Sequence, residues 1–329
     1  MSSNPAAFKE IPIIDLGCIS STDADVRREL VEQVKNACTN VGFFYVKNHG
    51  IPQSVFDGTL DAMGEFFALP LDAKMEIENK KSPKFMGYSP ILSGNNDPNG
   101  AGDLQEGFEF GYELADSAAV PPAPSAASDG GIMSAPNVWP KDLPQFRLAA
   151  LNYYHHALAL GRKLFPLFAL ALDLPEDFFI DKTKHSAALM RLLHYPPQTG
   201  EIDDRVIGIG AHTDWEVFTI LYQQPGIQAL QVLNSSKEWI NAPPIDGTLV
   251  INLGDELARW TNDFFTSTVH RAINRSGVER YSIPLFFGTD YDVVLEPIPS
   301  CVSPSRPAKY EPITAGEYIE GRLKATYEH

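Results

Sequence analysis

Two histidines and one aspartate in the second half of the chain could hold a metal ion. His212 and Asp214 are separated by one residue, so on an extended strand both side chains point to the same face. His270 follows much later and must come from a different strand. Two imidazoles and one carboxylate form a ligand set for iron(II), Fe(II), that leaves further coordination positions open on an octahedral ion.

Zinc is the alternative metal for the same three residues. A zinc ion with these ligands and one bound water would be typical of a hydrolase. Zinc proteases of the His-Glu-x-x-His type also place a general base at a fixed spacing from their ligands. No such base is evident near His212, Asp214 or His270, so the pattern favours iron.

A guanidinium and a hydroxyl follow on one predicted strand. Arg280 and Ser282 share a face of that strand, where a bidentate guanidinium and one hydroxyl suit a carboxylate. Tyr195, which precedes a Pro-Pro turn, could add a third contact. Taken alone, Arg280 would favour a surface ion pair with Glu279 or Asp290. Its pairing with Ser282, shortly after a candidate metal ligand, favours the carboxylate site.

The charge of the chain argues against a nucleic-acid partner. Its 329 residues carry a formal net charge of −16, and the pI is about 4.9. Such a surface repels phosphate backbones, and no basic run is longer than Lys80-Lys81. Solubility alone would also explain this acidity, so the charge indicates no particular partner.

Cysteine usage and hydropathy predict a cytoplasmic protein with no membrane association. The three cysteines, Cys18, Cys38 and Cys301, are scattered and show no Cys-x-x-Cys spacing, which argues against a disulfide framework or a zinc ribbon. No secretory signal is apparent in the first residues. The longest apolar segment, around residues 164–172, is too short to span a bilayer.

The pattern of apolar residues predicts an α+β protein. Strands at Ile11–Leu16 and Val41–Val46 alternate with helices, and a long core-facing helix is expected within residues 143–172. The predicted divisions are an N-terminal region at residues 1–120, a linker or loop at 121–142, core-facing helices at 143–185, a strand-rich domain at 186–300 and a C-terminal tail helix at 301–329.

The strand-rich domain is predicted to be an antiparallel sandwich or barrel, because short strands follow one another with turn residues between them. The predicted strands are Leu189–Tyr195, Val206–His212, Val217–Tyr222, Ile227–Val232, Thr248–Leu253, Thr266–Ile273 and Tyr281–Phe287.

Several motifs of this chain occur together in one known family. They are Gly42-Phe43-Phe44-Tyr45-Val46 with Asn48-His49-Gly50-Ile51-Pro52, Phe66-Phe67-x-Leu69-Pro70, Tyr195-Pro196, His212-Thr213-Asp214, Asn252-Leu253-Gly254-Asp255, His270-Arg271 and Arg280-Tyr281-Ser282. By these motifs the chain resembles, over nearly its full length, the isopenicillin N synthase-like family of iron(II)/2-oxoglutarate-dependent oxygenases. Its Leu-Leu-His-Tyr-Pro-Pro segment looks most like fungal biosynthetic members.

The resemblance implies a double-stranded β-helix (jelly-roll) core flanked by helices, with an N-terminal mixed α/β portion. It also implies that iron is held by the two histidines and the aspartate, and that the C5 carboxylate of 2-oxoglutarate lies on Arg280 and Ser282 with Tyr195 alongside. The co-substrates would be O2 and 2-oxoglutarate, which leaves as succinate and CO2, with ascorbate as reductant in vitro. No separate protein acid or base is implied. Leu193 departs from the Asn of many plant members, so one contact to 2-oxoglutarate would be missing or replaced.

The expected substrate is a small, hydrophobic or aromatic secondary metabolite, oxidised at a C–H bond. Candidate pocket residues are aromatic, although each could instead belong to the core: Trp215, Phe287, Tyr88, Phe108 and Phe110. Hydroxylation, desaturation and ring formation or rearrangement remain open as outcomes. Two other functions are weighed against this one. They are an iron oxidase or cyclase of the same fold that uses no 2-oxoglutarate, and a non-catalytic protein that binds a small acid.

Overall fold

The computed structural model describes residues 7–82, 85–94, 102–114, 136–198 and 208–327, with side chains up to residue 323. Most of the predicted linker, residues 121–135, lies outside these ranges, as does the predicted strand start at Val206. No helix of the described ranges is both long enough and apolar enough to cross a membrane.

The described residues form fourteen β-strands, which are β1 (Ile13–Asp15), β2 (Phe43–Lys47), β3 (Gly87–Ser89), β4 (Glu106–Phe110), β5 (Ala188–Tyr195), β6 (Ile209–His212), β7 (Phe218–Gln223), β8 (Leu230–Leu233), β9 (Trp239–Asn241), β10 (Thr248–Leu253), β11 (His270–Ala272), β12 (Arg280–Phe287), β13 (Val294–Leu295) and β14 (Ile313–Thr314). The α-helices of the same residues are α1 (Ala24–Asn40), α2 (Gln53–Phe67), α3 (Leu71–Met75), α4 (Pro144–Ala171), α5 (Asp255–Trp260) and α6 (Ala315–Tyr327).

Two sheets build the core. The larger has eight strands in the order β1-β2-β10-β7-β12-β5-β4-β3, and the smaller has the order β6-β11-β8-β9. β1 and β2 are parallel, whereas the other ladders between these strands are antiparallel. Strands from the first half of the chain therefore share one sheet with strands from the second half.

The inner face of the large sheet packs on the small sheet. Leu193 and Tyr195 of β5 form one buried cluster with Ala272 of β11, and Phe43 of β2 forms another with Val232 of β8. Two facing, mainly antiparallel sheets of this kind, flanked by helices, confirm the predicted α+β architecture with a jelly-roll core.

The outer face of the large sheet is covered by helices. α2 and α1 both pack against α4, which lies across β12. Gly161 allows this close approach, because a Cβ at that position would overlap the ring of Phe287. We call this side of the sheet the helix face, and the side that meets the small sheet the inner face.

The structure corrects several predicted boundaries. The strand predicted at Thr266–Ile273 is shorter and spans His270–Ala272. The preceding segment instead forms hydrogen bonds with residues around the end of α1. Thr266 N donates to Cys38 O, and Thr268 Oγ1 donates to Val41 O at 2.7 Å. Strand β9 and helix α5 were not predicted. The long core-facing helix and the C-terminal helix are present as α4 and α6.

Candidate metal centre and co-substrate site

Strand pairing brings the three predicted metal ligands together. His212 ends β6 and His270 begins β11, and the two residues are direct partners in the antiparallel ladder. Asp214 follows β6 by two residues and is buried. Its Oδ1 lies 3.6 Å from Nε2 of each histidine, and one ligand atom from each of the three residues lies within 4.8 Å of the others. This convergence is what a single metal ion requires.

Backbone carbonyls orient both imidazoles. Nδ1 of His212 lies 2.8 Å from Gly210 O, and Nδ1 of His270 lies 3.1 Å from Thr268 O. A carbonyl oxygen only accepts hydrogen bonds, so these contacts favour the tautomer in which Nδ1 carries the proton and Nε2 keeps a free lone pair. Burial, with a smaller contribution from His212, lowers the pKa of His270 to about 4, which keeps it neutral at physiological pH.

Asp214 is held by one oxygen and presents the other. Its Oδ2 accepts hydrogen bonds from Thr219 Oγ1 at 2.5 Å and from Asn252 Nδ2 at 2.6 Å. Burial alone would raise the pKa of this carboxyl, but His270 and His212 hold the pKa well below its ordinary value. The aspartate is therefore ionised, with Oδ1 directed toward the two imidazoles.

Asp255, at the start of α5, joins the two segments that carry the ligands. Its Oδ2 accepts a hydrogen bond from Thr213 Oγ1 at 2.9 Å, and its Oδ1 accepts one from Ser267 Oγ at 2.6 Å. Its backbone N–H also donates to Asp214 O at 2.8 Å. One carboxylate thus fixes the loop between the first two ligands relative to the loop before His270.

Arg280 is a buried cation on the inner face. Only 1% of its surface is exposed, and its Nε and Nη1 have no hydrogen-bond partner within the described ranges. The guanidinium carbon lies 4.7 Å from the centre of the Tyr195 ring. Burial lowers the pKa of this group, with Tyr195 opposing the shift, but an arginine remains charged at physiological pH. A buried guanidinium with free donors needs an anion, and a ligand carboxylate would satisfy it.

The strand register explains the two residues beside this guanidinium. Arg280 is opposite Tyr195 in the β12–β5 ladder, and Ser282 is opposite Leu193. All four side chains therefore lie on the inner face, where Arg280 is beside Tyr195 and Ser282 is beside Leu193. Leu193 has no polar atom to offer at the position next to Ser282, so the carboxylate site depends on the other three.

Four of the predicted pocket residues lie on the wrong face. Tyr88, Phe108 and Phe110 are packed in the aromatic core under α2 and α4, where Phe108 contacts the ring of Phe66. Phe287 stacks on Phe218 in the same core and is fully buried. The large sheet separates all four from the ligand atoms, so their predicted place in the substrate pocket is wrong.

Trp215 differs from these four. It is half-buried, and the guanidinium carbon of Arg322 in α6 lies 5.5 Å from its ring. Its place in a substrate pocket stays a prediction.

Several residues of the site have no role that the sequence predicts. Thr219 and Asn252 hold Asp214, and Asp255 holds both ligand loops. Asn252 and Asp255 belong to a motif that the family resemblance included, so that motif was the available signal. Thr219 gave none beyond its position on a predicted strand.

Comparison with known proteins agrees with this geometry. A family model for the non-haem dioxygenase in morphine synthesis N-terminal region matches residues 11–142, and a model for the 2OG-Fe(II) oxygenase superfamily matches residues 186–289. The chain is 38% identical to the 2-oxoglutarate-Fe(II) type oxidoreductase hxnY of Emericella nidulans, over 96% of this chain and 90% of that protein. It is 32% identical to a homoarginine-6-hydroxylase of Glycine max, over 97% and 98% of the two chains.

A similar fold has been solved experimentally. A full-length Neurospora crassa protein crystallised with alpha-KG and thymine superposes with a TM-score of 0.82 and 29% identity, over 96% of this chain and 97% of that one. The ligand geometry, the buried guanidinium and these relatives lead to one assignment. The chain belongs to the 2OG-Fe(II) oxygenase superfamily and is an oxidoreductase that uses iron(II) and 2-oxoglutarate.

Proposed function

We propose that His212, Asp214 and His270 hold the iron(II), and that Arg280, Ser282 and Tyr195 hold the distal carboxylate of 2-oxoglutarate. The enzyme then oxidises a C–H bond of a small secondary metabolite, by hydroxylation, desaturation or ring formation. The observation that carries the proposal is the buried Arg280 guanidinium, which lacks hydrogen-bond partners on two nitrogens among the described residues.

The donor set fits iron(II). Two imidazoles and one carboxylate are its usual protein ligands in this class, and no thiolate lies among them. When bound, iron(II) supplies the activation of dioxygen that is coupled to conversion of 2-oxoglutarate into succinate and CO2.

The residues of the chain position the metal ligands and neutralise the charge of the co-substrate. Gly210 O and Thr268 O fix the imidazole tautomers, and Thr219 with Asn252 fixes the carboxylate. The Arg280 guanidinium neutralises the distal carboxylate of the co-substrate within a buried, weakly polarisable environment, where the attraction is stronger than in water. These contacts orient the reactants and restrict access of water.

The same proposal places the enzyme in the cytoplasm. All three cysteines are unpaired, as expected for a reducing compartment. With a net charge of −16, we propose a small-molecule substrate and no nucleic-acid partner. Related proteins include a homoarginine hydroxylase and a protein crystallised with thymine, so polar as well as aromatic substrates are compatible with this fold.

The test is succinate release by the full-length protein supplied with iron(II), 2-oxoglutarate and ascorbate in air. A metabolite extract that contains the substrate should increase the rate. His212→Ala should abolish release. As a matched control, His156→Ala, which removes a helix histidine bonded to Asn152 O, should keep the activity.

Two outcomes would overturn the proposal. Oxygen consumption that is unaffected by 2-oxoglutarate would indicate an oxidase of the same fold, with Arg280 holding a carboxylate of the substrate itself. Binding of 2-oxoglutarate without any oxygen consumption, with substrate extract present, would indicate a non-catalytic acid-binding protein.

A further inference from the structure

Asp103 joins the first half of the chain to the strand that carries a metal ligand. It lies in the connection between β3 and β4 and is 3% exposed, and its Oδ1 accepts a hydrogen bond from Gly210 N of β6 at 2.9 Å. Two backbone hydrogen bonds fix the aspartate itself. Its N–H donates to Gly94 O at 2.9 Å, and its carbonyl accepts from Leu92 N at 3.1 Å. The carboxylate is therefore held against β6 by a backbone that is itself anchored.

This hydrogen bond meets β6 at an irregular point of its pairing. β6 is the end strand of the small sheet and pairs, within the described ranges, with β11 alone. Ile209 is opposite Ala272 and His212 is opposite His270, so three steps along β6 correspond to two along β11. One residue of β6 is therefore extra, as in a β-bulge, which changes the direction of the side chain that follows it. Gly210 lies within this irregular stretch.

Gly210 contacts both Asp103 and the metal ligand that follows the bulge. Its carbonyl oxygen lies 2.8 Å from Nδ1 of His212, while its N–H donates to the carboxylate. An end strand has no neighbouring strand on its open side to fix its backbone. The carboxylate of Asp103 supplies that constraint, so the carbonyl that orients the imidazole keeps its position.

The other two ligands have anchors of a different kind. His270 lies on β11, which pairs on both sides, with β6 and with β8. Asp214 is held by Thr219 and Asn252, which both belong to the second half of the chain. His212 is thus the ligand on an end strand, and the strand that carries it is anchored by a side chain from the N-terminal half.

We infer that Asp103 is a positioning residue for the metal centre and acts on His212 through Gly210. The inference rests on the proposed function and extends the centre to a residue for which the sequence predicts no role. The acceptor oxygen is the property that matters, because the donor is a neutral backbone N–H. An amide oxygen at the same position accepts the same hydrogen bond.

The experiment measures the affinity of the metal-free, full-length protein for manganese(II) by calorimetry. Asp103→Ala removes the acceptor and should weaken manganese binding about tenfold. Residues that orient metal ligands typically change metal affinity about 10- to 100-fold, and this one acts through an intervening peptide group. Asp103→Asn keeps an oxygen in place and should retain most of the wild-type affinity. Thermal unfolding verifies that each variant is folded.

Hydrogen exchange tests the route through Gly210. In the metal-free protein, the amide proton of Gly210 should exchange faster in Asp103→Ala than in wild type or Asp103→Asn, because only the alanine variant lacks the acceptor. Mass spectrometry of peptic fragments that contain Gly210 measures this rate. The measurement requires neither bound metal nor turnover.

Asp23→Ala is the matched control. Asp23 Oδ1 also accepts a backbone N–H at 2.9 Å, from Asp25 at the start of α1. Loss of this helix N-cap should lower the melting temperature, while the manganese affinity stays unchanged. The control therefore separates an effect on metal binding from an effect on general stability.

Several outcomes would overturn the inference. Wild-type manganese affinity in folded Asp103→Ala, or unchanged exchange at Gly210, would mean that β6 needs no carboxylate. Equal losses of affinity in Asp103→Asn and Asp103→Ala would mean that the negative charge acts, and not the hydrogen bond. Equal losses in Asp103→Ala and Asp23→Ala would reflect reduced stability. If wild type binds no manganese, or His212→Ala binds it equally well, the proposed metal site fails and the inference fails with it.

Discussion

The two faces of the large sheet use the same strands in opposite ways. On the helix face, Glu106 of β4 is 5% exposed in its side chain and accepts hydrogen bonds from Lys74 and Tyr88, with His194 Nδ1 at 2.7 Å. On the inner face, Arg280 of β12 is as deeply buried, yet two of its nitrogens have no partner within the described ranges. Polar groups that support the fold have their partners within the protein, whereas those of a binding site keep donors for a ligand.

This contrast predicts that substitutions on the two faces have different consequences. Inner-face changes should reduce metal or co-substrate binding with little loss of stability. Helix-face changes should reduce stability without altering the site in molecules that remain folded.

The largest expected effect is on metal binding. Asp214→Asn keeps the size of the side chain but removes the negative charge between the two histidines. We expect iron content after dialysis and succinate release to fall below detection, because the remaining ligand set is neutral. Retention of one iron per chain would contradict the assignment of Asp214 as a ligand.

A helix-face truncation tests the opposite behaviour. Phe108 is fully buried against Phe66 and Phe146, whereas the sequence predicts it in the pocket. Phe108→Ala should lower the free energy of unfolding by about 3–5 kcal/mol, measured by urea denaturation. The affinity of the folded protein for 2-oxoglutarate should not change. A selective loss of that affinity at full stability would restore Phe108 to the site.

Arg280→Met should weaken 2-oxoglutarate binding about 10- to 100-fold, because hydrogen bonds to a charged group contribute about 1.5–3 kcal/mol. Equilibrium titration of the metal-loaded protein measures this change. The melting temperature without ligand should stay the same or rise, since the variant no longer buries a cation with free donors. A marked fall in melting temperature would mean that Arg280 supports the fold instead.

Asp255→Asn tests the carboxylate that joins the two ligand loops. Residues that orient metal ligands typically change metal affinity 10- to 100-fold, and we expect about tenfold here because the amide keeps one acceptor for Thr213 or Ser267. Competition with a metal chelator measures the affinity. Asp263→Asn is the matched control, because Asp263 is an exposed carboxylate paired with Lys309, and it should not change the metal affinity.

The smallest expected effect is on the pH dependence of the unfolding free energy, to which Glu106 on the helix face contributes. Burial would raise the pKa of Glu106, but hydrogen bonds from His194, Lys74 and Tyr88 hold the pKa below its ordinary value of 4.5. A group with a lowered pKa contributes stability that is present above the unfolded-state pKa and lost as the pH falls through the folded-state pKa. The difference in unfolding free energy between wild type and Glu106→Gln should therefore be constant above about pH 6 and shrink on acidification. A difference that grows on acidification would contradict the assignment.

Much of the site could be predicted because it depends on local spacing. Alternation placed His212 and Asp214 on one face and Arg280 with Ser282 on another, and the strand pairing then brought them together. The same rule could have corrected one prediction. Phe287 is an odd number of positions from Arg280, so it faces the other side of β12, and Phe286 was the consistent choice.

Other features depend on contacts that no local pattern contains. β4 alternates aromatic with small or acidic residues, which predicts two distinct faces but not which of them meets the helices, so Phe108 and Phe110 were misplaced. The segment before His270 has the composition of a strand, yet its hydrogen bonds go to the end of α1. The link from Asp255 to two loops likewise requires the folded chain.

The strand order of the large sheet also has a consequence for synthesis of the protein. β2 carries the apolar run Phe43–Val46, and its partner on one side is β10, which begins at Thr248. At ribosomal rates of about 5–20 residues per second, β10 follows β2 by roughly 10–40 s. Until then one edge of β2 stays unpaired, and exposed apolar edges are sites of aggregation. Nascent chains that stop before β10 should therefore depend on chaperones, however stable the finished enzyme is.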